Sequence, residues 1–425
     1  MNAVPGLHDP KDRKLIPITG YVTNLLDRKN QCAFINRCPY VTFVCKEGKT
    51  PKLQQIDVEK DHFSACHRVI DKKTTPERIF DSNVRNNYVK GKKSENDEEI
   101  LKIEELKVYF PVYKGILKKK IADIKAVDGI TFNIYKGETF GLVGESGCGK
   151  STVARAILRL NQITDGKIFF KGTDITNLSS AQMRVYRKNM SMIFQDPYGS
   201  LDPRQRAGDI VKEPLKNYFK DVMSKSEMDD RVSELFQLVG LDPSYKDRVP
   251  HEFSGGQRQR LVIARALSTN PEFIVCDEAI SALDVSIQAQ IINLLEELQE
   301  SLGLTYLFIA HDLSVVRHIS DYVAVMYLGQ MVEFADWDEL YSHPLHPYTK
   351  SLLEAVPVPD PDVEMTRERH IIQGEVPSPM HKPSGCAFSS RCPYATELCY
   401  KIVPKINIIG NNHKVACHKI VKSSN

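Results

Sequence analysis

The chain of 425 residues predicts an α/β fold built around a mainly parallel sheet. Three observations predict it. Short apolar runs alternate with amphipathic helical stretches, and one glycine-rich loop, GESGCGKST at 144–152, falls between such a run and a helical pattern. No run approaches the roughly 18 to 20 apolar residues that a membrane-crossing helix needs.

Four segments follow one another. Residues 1–70 are loop-rich and hold Cys32, Cys38, Cys45 and Cys66. Residues 71–100 are charged and poor in large apolar side chains, a linker composition. From 101 to 335 the runs ITFNI, TFGLVG, MSMIFQ, EFIVCDE, TYLFIAHD and YVAVMYLG read as buried strands bounded by Gly, Asp or Pro. Between them MDDRVSELFQLVGL and QAQIINLLEELQESLG carry helical periodicity. Residues 336–425 are rich in Pro and His and end with Cys386, Cys392, Cys399 and Cys417.

The two ends repeat one another. CAFINRCPYVTFVC, starting at Cys32, matches CAFSSRCPYATELC, starting at Cys386, in nine of fourteen positions. Both copies close with Ala-Cys-His, at His67 and His418, and both are preceded by Ala-Val-Pro. One duplicated module is not a solenoid, which needs three or more stacked units.

Lys and Arg total 57 against 54 Asp and Glu, a formal charge of +3, which argues against a dedicated nucleic-acid binder. The start, MNAVPGLHDPKDRK, lacks the apolar core of a secretory signal, so an intracellular protein is expected. Ten cysteines in that setting point to metal binding before disulfides.

In the loop at 144–152, Gly144, Glu145, Ser146, Gly147, Cys148, Gly149, Lys150, Ser151 and Thr152 are the candidate phosphate-binding residues. Glycines let successive N–H groups turn inward, and the following helix adds its dipole. Lys150 is expected to neutralise phosphate oxygens and Ser151 to ligate Mg²⁺. EFIVCDE then ends an apolar strand in two carboxylates. Asp277 suits the Mg²⁺ shell, and Glu278 suits orienting or deprotonating the attacking water. Cys148 and Cys276 read as packing residues.

FSGGQRQR at 253–260 resembles the signature motif of ABC ATPases, and the other landmarks of that family occur in order. Gln195 resembles its glutamine loop, Asp284 in SALD its dimer-facing aspartate, and His311 its switch histidine. The resemblance covers about 101–335 and implies a P-loop NTPase (RecA-like) ABC cassette with a helical subdomain, flanked by small cysteine-containing, loop-rich terminal modules. It also implies ATP hydrolysis between two cassettes closing head-to-tail. Ser254, Gly255, Gly256 and Gln257 would meet the γ-phosphate held by a partner, and Gln195 would sense Mg²⁺. Phe253 stands where Leu is commoner and Ala279 where Pro is frequent; neither alters a reacting group. Tyr109, Phe110 and Tyr113 compete to stack on adenine.

HPLHPYTKSLLEAVP at 343–357 and QDPYGSLDPR at 195–204 resemble the ATPases of oligopeptide and dipeptide importers, particularly the second of two paired ATPases. That implies a peripheral protein on the cytoplasmic membrane face. Its implied partners are a second ABC ATPase, two transmembrane permease subunits and an extracytoplasmic substrate-binding protein, with no nucleic acid. Residues 1–70 resemble the tail of a companion ATPase. The alternative is a soluble ABC ATPase acting on the ribosome or nucleic acid, although such chains generally carry two cassettes or a long coiled coil.

Cys386, Cys392 and Cys399 have five and six intervening residues, and Cys417 follows after seventeen. Cys32, Cys38 and Cys45 repeat the first two gaps, with twenty before Cys66. Zinc sites usually begin with a tighter knuckle. Wider gaps suit an Fe–S cluster, and related importer ATPases carry a [4Fe-4S] cluster in this extension. Zinc, disulfides and free thiols remain the alternatives, and His67 and His418 are either supporting donors or surface histidines.

Overall fold

A computed structural model describes residues 3–6, 14–18, 31–38, 40–47, 50–57, 62–67, 98–115, 118–357, 365, 372, 374–410 and 412–422. The chain forms two compact units, Ile16–Lys92 and the remainder, Met1–Leu15 with Lys93–Asn425. The boundary therefore falls differently from the segments drawn on composition. The linker expected at 71–100 lies outside the described residues except at its last three positions.

Within the smaller unit, β1 (Gln54–Asp57) and β2 (His62–Ser64) pair antiparallel after a short helix, α1 (Phe43–Glu47). The sequence repeat is also a structural one. Ile35 N–H donates to Cys32 O, Arg37 N–H to Phe34 O and Cys45 N–H to Thr42 O. The counterparts at the other end are Ser389 to Cys386, Arg391 to Phe388 and Cys399 to Thr396.

The larger unit holds two sheets. β3 (Glu99–Lys114), β4 (Lys119–Tyr135), β6 (Asp165–Phe170) and β7 (Thr173–Asp174) make an antiparallel sheet in the order β4-β3-β6-β7. ITFNI belongs here, not to the parallel core, because its alternating burial suits a sheet packed on one face. The second sheet contains β5 (Thr139–Val143), β8 (Met190–Ile193), β9 (Phe273–Asp277), β10 (Thr305–Ile309) and β11 (Tyr322–Tyr327), all parallel in the order β11-β5-β10-β9-β8. Every residue of β5, β9 and β10 is buried, as expected of strands covered on both faces. β12 (Gln330–Asp336) extends it antiparallel to β11, and the tail strands β13 (Asn407–Ile408) and β14 (Lys414–Val415) continue from β12.

Helices cap the parallel strands. α2 (Lys150–Ile157) follows β5, and α3 (Ser180–Arg187) precedes β8. α4 (Ala207–Phe219), α5 (Lys225–Leu238) and α6 (Gly255–Leu267) form the helical subdomain between β8 and β9. α7 (Val285–Leu302) buries one apolar stripe and stops at Gly303, a left-handed cap with φ 65°. α8 (Leu313–Ile319) lies between β10 and β11, and α9 (Trp337–Ser342) and α10 (Pro347–Glu354) follow β12. The N-terminal stretch is anchored here too: Leu15 joins the core, its carbonyl accepts from Asn293 Nδ2 at 2.9 Å, and Lys14 pairs with Glu297. Among the described residues no helix is long and apolar enough to cross a membrane.

Candidate nucleotide site

The parallel strands end together, and their C-terminal turns supply the site. An open cleft of about 310 Å³ is lined by Ser146, Gly147, Gly149, Lys150, Ser151, Thr152, Gln195, Glu278, His311 and Ala126. Residues expected from four separate stretches thus line one cleft.

The phosphate loop is built by close approach. A Cβ on Gly149 would lie 2.1 Å from the Ala126 carbonyl, and one on Gly144 2.2 Å from the Met326 carbonyl. Lys150 is buried, and its ammonium donates to the carbonyls of Gly144 at 2.7 Å and Glu145 at 3.0 Å. Cys148 is buried behind the loop, and burial raises its thiol pKa; Cys276 is likewise enclosed in β9.

Ser151 Oγ donates to Asp277 Oδ1 at 2.8 Å, joining the start of α2 to the end of β9. Burial pushes the Asp277 carboxyl upward, a cost that a nearby cation would relieve. Glu278 turns into the cleft at φ 48°, a left-handed conformation uncommon for a non-glycine residue. Its N–H donates to Ile309 O at 2.9 Å, so the strand next door fixes the turn. Gln195 Nε2 donates to Glu278 Oε2 at 2.7 Å, and His311 Nδ1 lies 3.9 Å from the same oxygen. A polar triad therefore faces the loop lysine and serine across the opening.

Ser254, Gly255, Gly256, Gln257 and Asp284 do not line this cleft. Ser254 caps α6: its hydroxyl accepts from Gln257 N–H, while Gln257 Oε1 accepts from Ser254 N–H at 2.9 Å. Asp284 occupies the N-cap position of α7 without a side-chain capping bond, and Gly256 lets the two helices meet, since a Cβ there would lie 2.7 Å from Ile287. Ser254, Gly255 and Asp284 are all exposed.

The aromatic candidates for adenine do not line the cleft either. Tyr109 donates its hydroxyl to Asp128, whose carboxylate also pairs with Lys382, while Phe110 and Tyr113 are exposed on β3.

Two residues that sequence reasoning missed touch the loop from the tail. Tyr348 Oη accepts the Glu145 N–H at 2.8 Å, and Arg391 grips the Glu145 carboxylate. The HPY core and the repeated Arg of CAFxxRC were the visible signals. Tyr348, Tyr327 and Phe388 pack ring to ring beneath them.

Cys386, Cys392, Cys399 and Cys417 line one small cavity with Phe388 and Ser389. The Ser389 hydroxyl is buried there without a hydrogen-bond partner, and burial pushes the Cys386 thiol up to about 11. Among the described residues no group of three or more His, Cys, Asp and Glu side chains is placed to hold a metal ion, which leaves the Fe–S and zinc expectations alike without support. His418 Nε2–H donates to Ile402 O, 2.9 Å away. Cys32, Cys38, Cys45 and Cys66 are free thiols in the smaller unit, with Cys45 buried beside Thr42.

Comparison with known proteins matches residues 127–281 to the ABC transporter family model. The model of the oligopeptide/dipeptide transporter C-terminal region matches twice, at 1–45 and 332–399, which accounts for the repeat. The oligopeptide transport ATP-binding protein AppF of Bacillus subtilis is 54% identical over 324 residues, covering 76% of this chain and 98% of the relative. OppF of Salmonella typhimurium, of the same description, is 50% identical over 329 residues, covering 77% and 98%. Among solved structures, the dimeric ATP-binding cassette MJ0796 bound to ADP and Pi superposes with a TM-score of 0.50 at 28% identity, covering 56% of this chain and 99% of that one.

Proposed function

The chain belongs to the oligopeptide-transport family of ABC ATP-binding proteins, and from that premise we propose that it hydrolyses ATP to drive the import of short peptides through a membrane transporter. The observation that carries the chemistry is the convergence of Lys150, Ser151, Gln195, Glu278 and His311 on one cleft.

The loop N–H groups and Lys150 bind the triphosphate. Ser151, Asp277 and Gln195 would hold Mg²⁺, which supplies charge neutralisation at the β- and γ-phosphates. Glu278 accepts the proton of the attacking water, and Gln195, bonded to it, holds that carboxylate in line. His311 stands beside Glu278 to meet the γ-phosphate. Ser254, Gly255, Gly256, Gln257 and Asp284, absent from the lining of this cleft, serve the ATP of a second cassette, as the dimeric neighbour suggests.

The companion is a second ABC ATPase, and the pair works under two permease subunits fed by an external binding protein, at the cytoplasmic membrane face. Residues 1–70 are read as a fusion or gene remnant, a companion ATPase's tail joined to this cassette, in keeping with the family match at 1–45. The ribosomal or nucleic-acid alternative finds no support among the relatives. The test is reconstitution with the permease subunits in vesicles: ATPase activity should rise with peptide-loaded binding protein. Stimulation by RNA alone would overturn the transport reading.

The [4Fe-4S] reading of the four tail cysteines rests on the family resemblance and on their shared cavity, not on placed ligands, since the side chains are not arranged to hold a metal ion. When bound, such a cluster supplies a rigid four-point cross-link. Anaerobically purified protein should be brown, with iron and sulfide in near-equal amounts; colourless protein containing zinc would refute it.

A further inference from the structure

Glu145 is the one carboxylate in the phosphate loop, and the tail holds it from two sides. Its carboxylate receives Arg391 Nη1 at 2.8 Å and Nη2 at 3.2 Å, a two-pronged ion pair. The guanidinium is fixed elsewhere as well: Nε donates to Gly374 O at 3.2 Å and Nη1 lies 3.4 Å from Tyr327 Oη. The Arg391 side chain is 8% exposed, so this pair is screened less than a surface bridge. Glu145 N–H donates to Tyr348 Oη at 2.8 Å, and Glu145 O accepts from the loop lysine, Lys150, at 3.0 Å. One path therefore runs from Arg391 through Glu145 to the ammonium that meets the phosphates.

The other end of that path is the cysteine cavity. Arg391 directly precedes Cys392, and its N–H donates to Phe388 O. Phe388 lies in the segment whose Ser389 N–H bonds Cys386 O, and Cys386 N–H bonds Cys399 O at 2.7 Å. A change in how the four sulfurs sit shifts the Cys386–Cys392 segment, and with it the base of Arg391.

We infer that Arg391 is a positioning residue for the phosphate loop, through which the shape of the four-cysteine cavity is read at the nucleotide site. Without it, Glu145 presents an uncompensated negative charge beside the incoming triphosphate. The inference rests on the ATP-site reading above. Coupling of this kind is reciprocal, so bound nucleotide must also change the tail cysteines.

The experiment measures MgATP affinity, steady-state ATPase and cysteine labelling on the full chain. Arg391→Ala should weaken ATP binding and raise KM about tenfold, with kcat at saturating ATP within about twofold. Arg391→Lys should recover part of the loss, keeping the charge without the fork. In a Glu145→Gln background, Arg391→Ala should cost nothing further. In chain confirmed by iron and zinc analysis to carry no metal, saturating MgATP should alter iodoacetamide labelling of Cys386, Cys392, Cys399 and Cys417, resolved by peptide mapping, about fivefold or more in the wild type, and not in Arg391→Ala. Unchanged affinity in both Arg391 variants, additive losses in the double variant, or the same ATP effect on labelling without Arg391 would each overturn the inference. A wild-type chain that binds no ATP would instead sink the ATP-site reading.

Discussion

Asp277 and Glu278 are adjacent carboxylates in different surroundings, and the difference assigns their work. Asp277 is enclosed at the end of β9 and bonded to Ser151. Glu278, forced into the left-handed region, faces the cleft beside Gln195 and His311. Glu278→Gln keeps the shape and the hydrogen bond but removes the base, so turnover should fall about 10²- to 10⁴-fold with ATP binding retained. A single-turnover assay with an equilibrium binding measurement checks both halves. The loop glycines offer a second test. Gly149 has φ 109° with the Ala126 carbonyl where a Cβ would go, while Gly137 has φ 77° and open space. Gly137→Ala should therefore cost about 1 kcal/mol, the left-handed penalty alone. Gly149→Ala should cost about 3 kcal/mol or more, because the loop backbone must move. Urea unfolding reads the difference, and equal costs would show that the loop relaxes freely.

The tail strand β14 is the element whose attachment depends on titration. It pairs with β12, where Glu333 is fully buried and bonded to His413 Nε2 at 2.7 Å. Glu333 also accepts from the N–H groups of Leu345 and His346, and Glu339 meets His413 Nδ1 at 3.2 Å and His343 at 3.2 Å. Burial disfavours charge on His413, but the Glu333 and Glu339 carboxylates outweigh it and raise its pKa above 6.5. Its contribution is complete below about pH 6.5 and is lost as pH rises through the raised value. His346 is the reverse: burial pulls it down to about 4, so its contribution is present above 6.5 and lost as pH falls toward 4. Protection of the Lys414 and Val415 amides from exchange, corrected for intrinsic rate, should be greatest near pH 6.5, weakening as pH falls toward 4 through His346 and as it rises through the raised His413 value. A flat profile would separate tail docking from these two histidines. None of this was legible in the sequence. β5, β9, β10 and the phosphate loop were, because each is declared by a contiguous run. The Glu333–His413 pair joins residues 80 apart and Arg391–Glu145 residues 246 apart, and no local pattern announces such a meeting. The same blindness hid the Tyr109 hydroxyl's bond to Asp128, residues 19 apart.

At the scale of the molecule, the proposed function makes the cleft half of a reaction site. Its lining supplies groups for one side of a triphosphate, and Ser254, Gly255 and Asp284 are exposed and absent from it. The start of α6, with Ser254 as its cap, is a positive helix end facing solvent. Such an end has a phosphate to meet only when a second cassette brings one. Two consequences follow from that geometry. ATP binding to this chain alone should be unaffected by Ser254→Arg, whose bulk lies off the chain's own cleft. Hydrolysis in the assembled pair should fall by about tenfold or more at the companion's ATP, because the arginine blocks the approach of the two surfaces. Sedimentation with MgATP and the hydrolysis-blocked Glu278→Gln chain should show a closed pair with the companion ATPase, and Ser254→Arg should abolish it. Loss of ATP binding in isolated Ser254→Arg would place Ser254 at this chain's own nucleotide instead, and the two-cassette arrangement would fail with it.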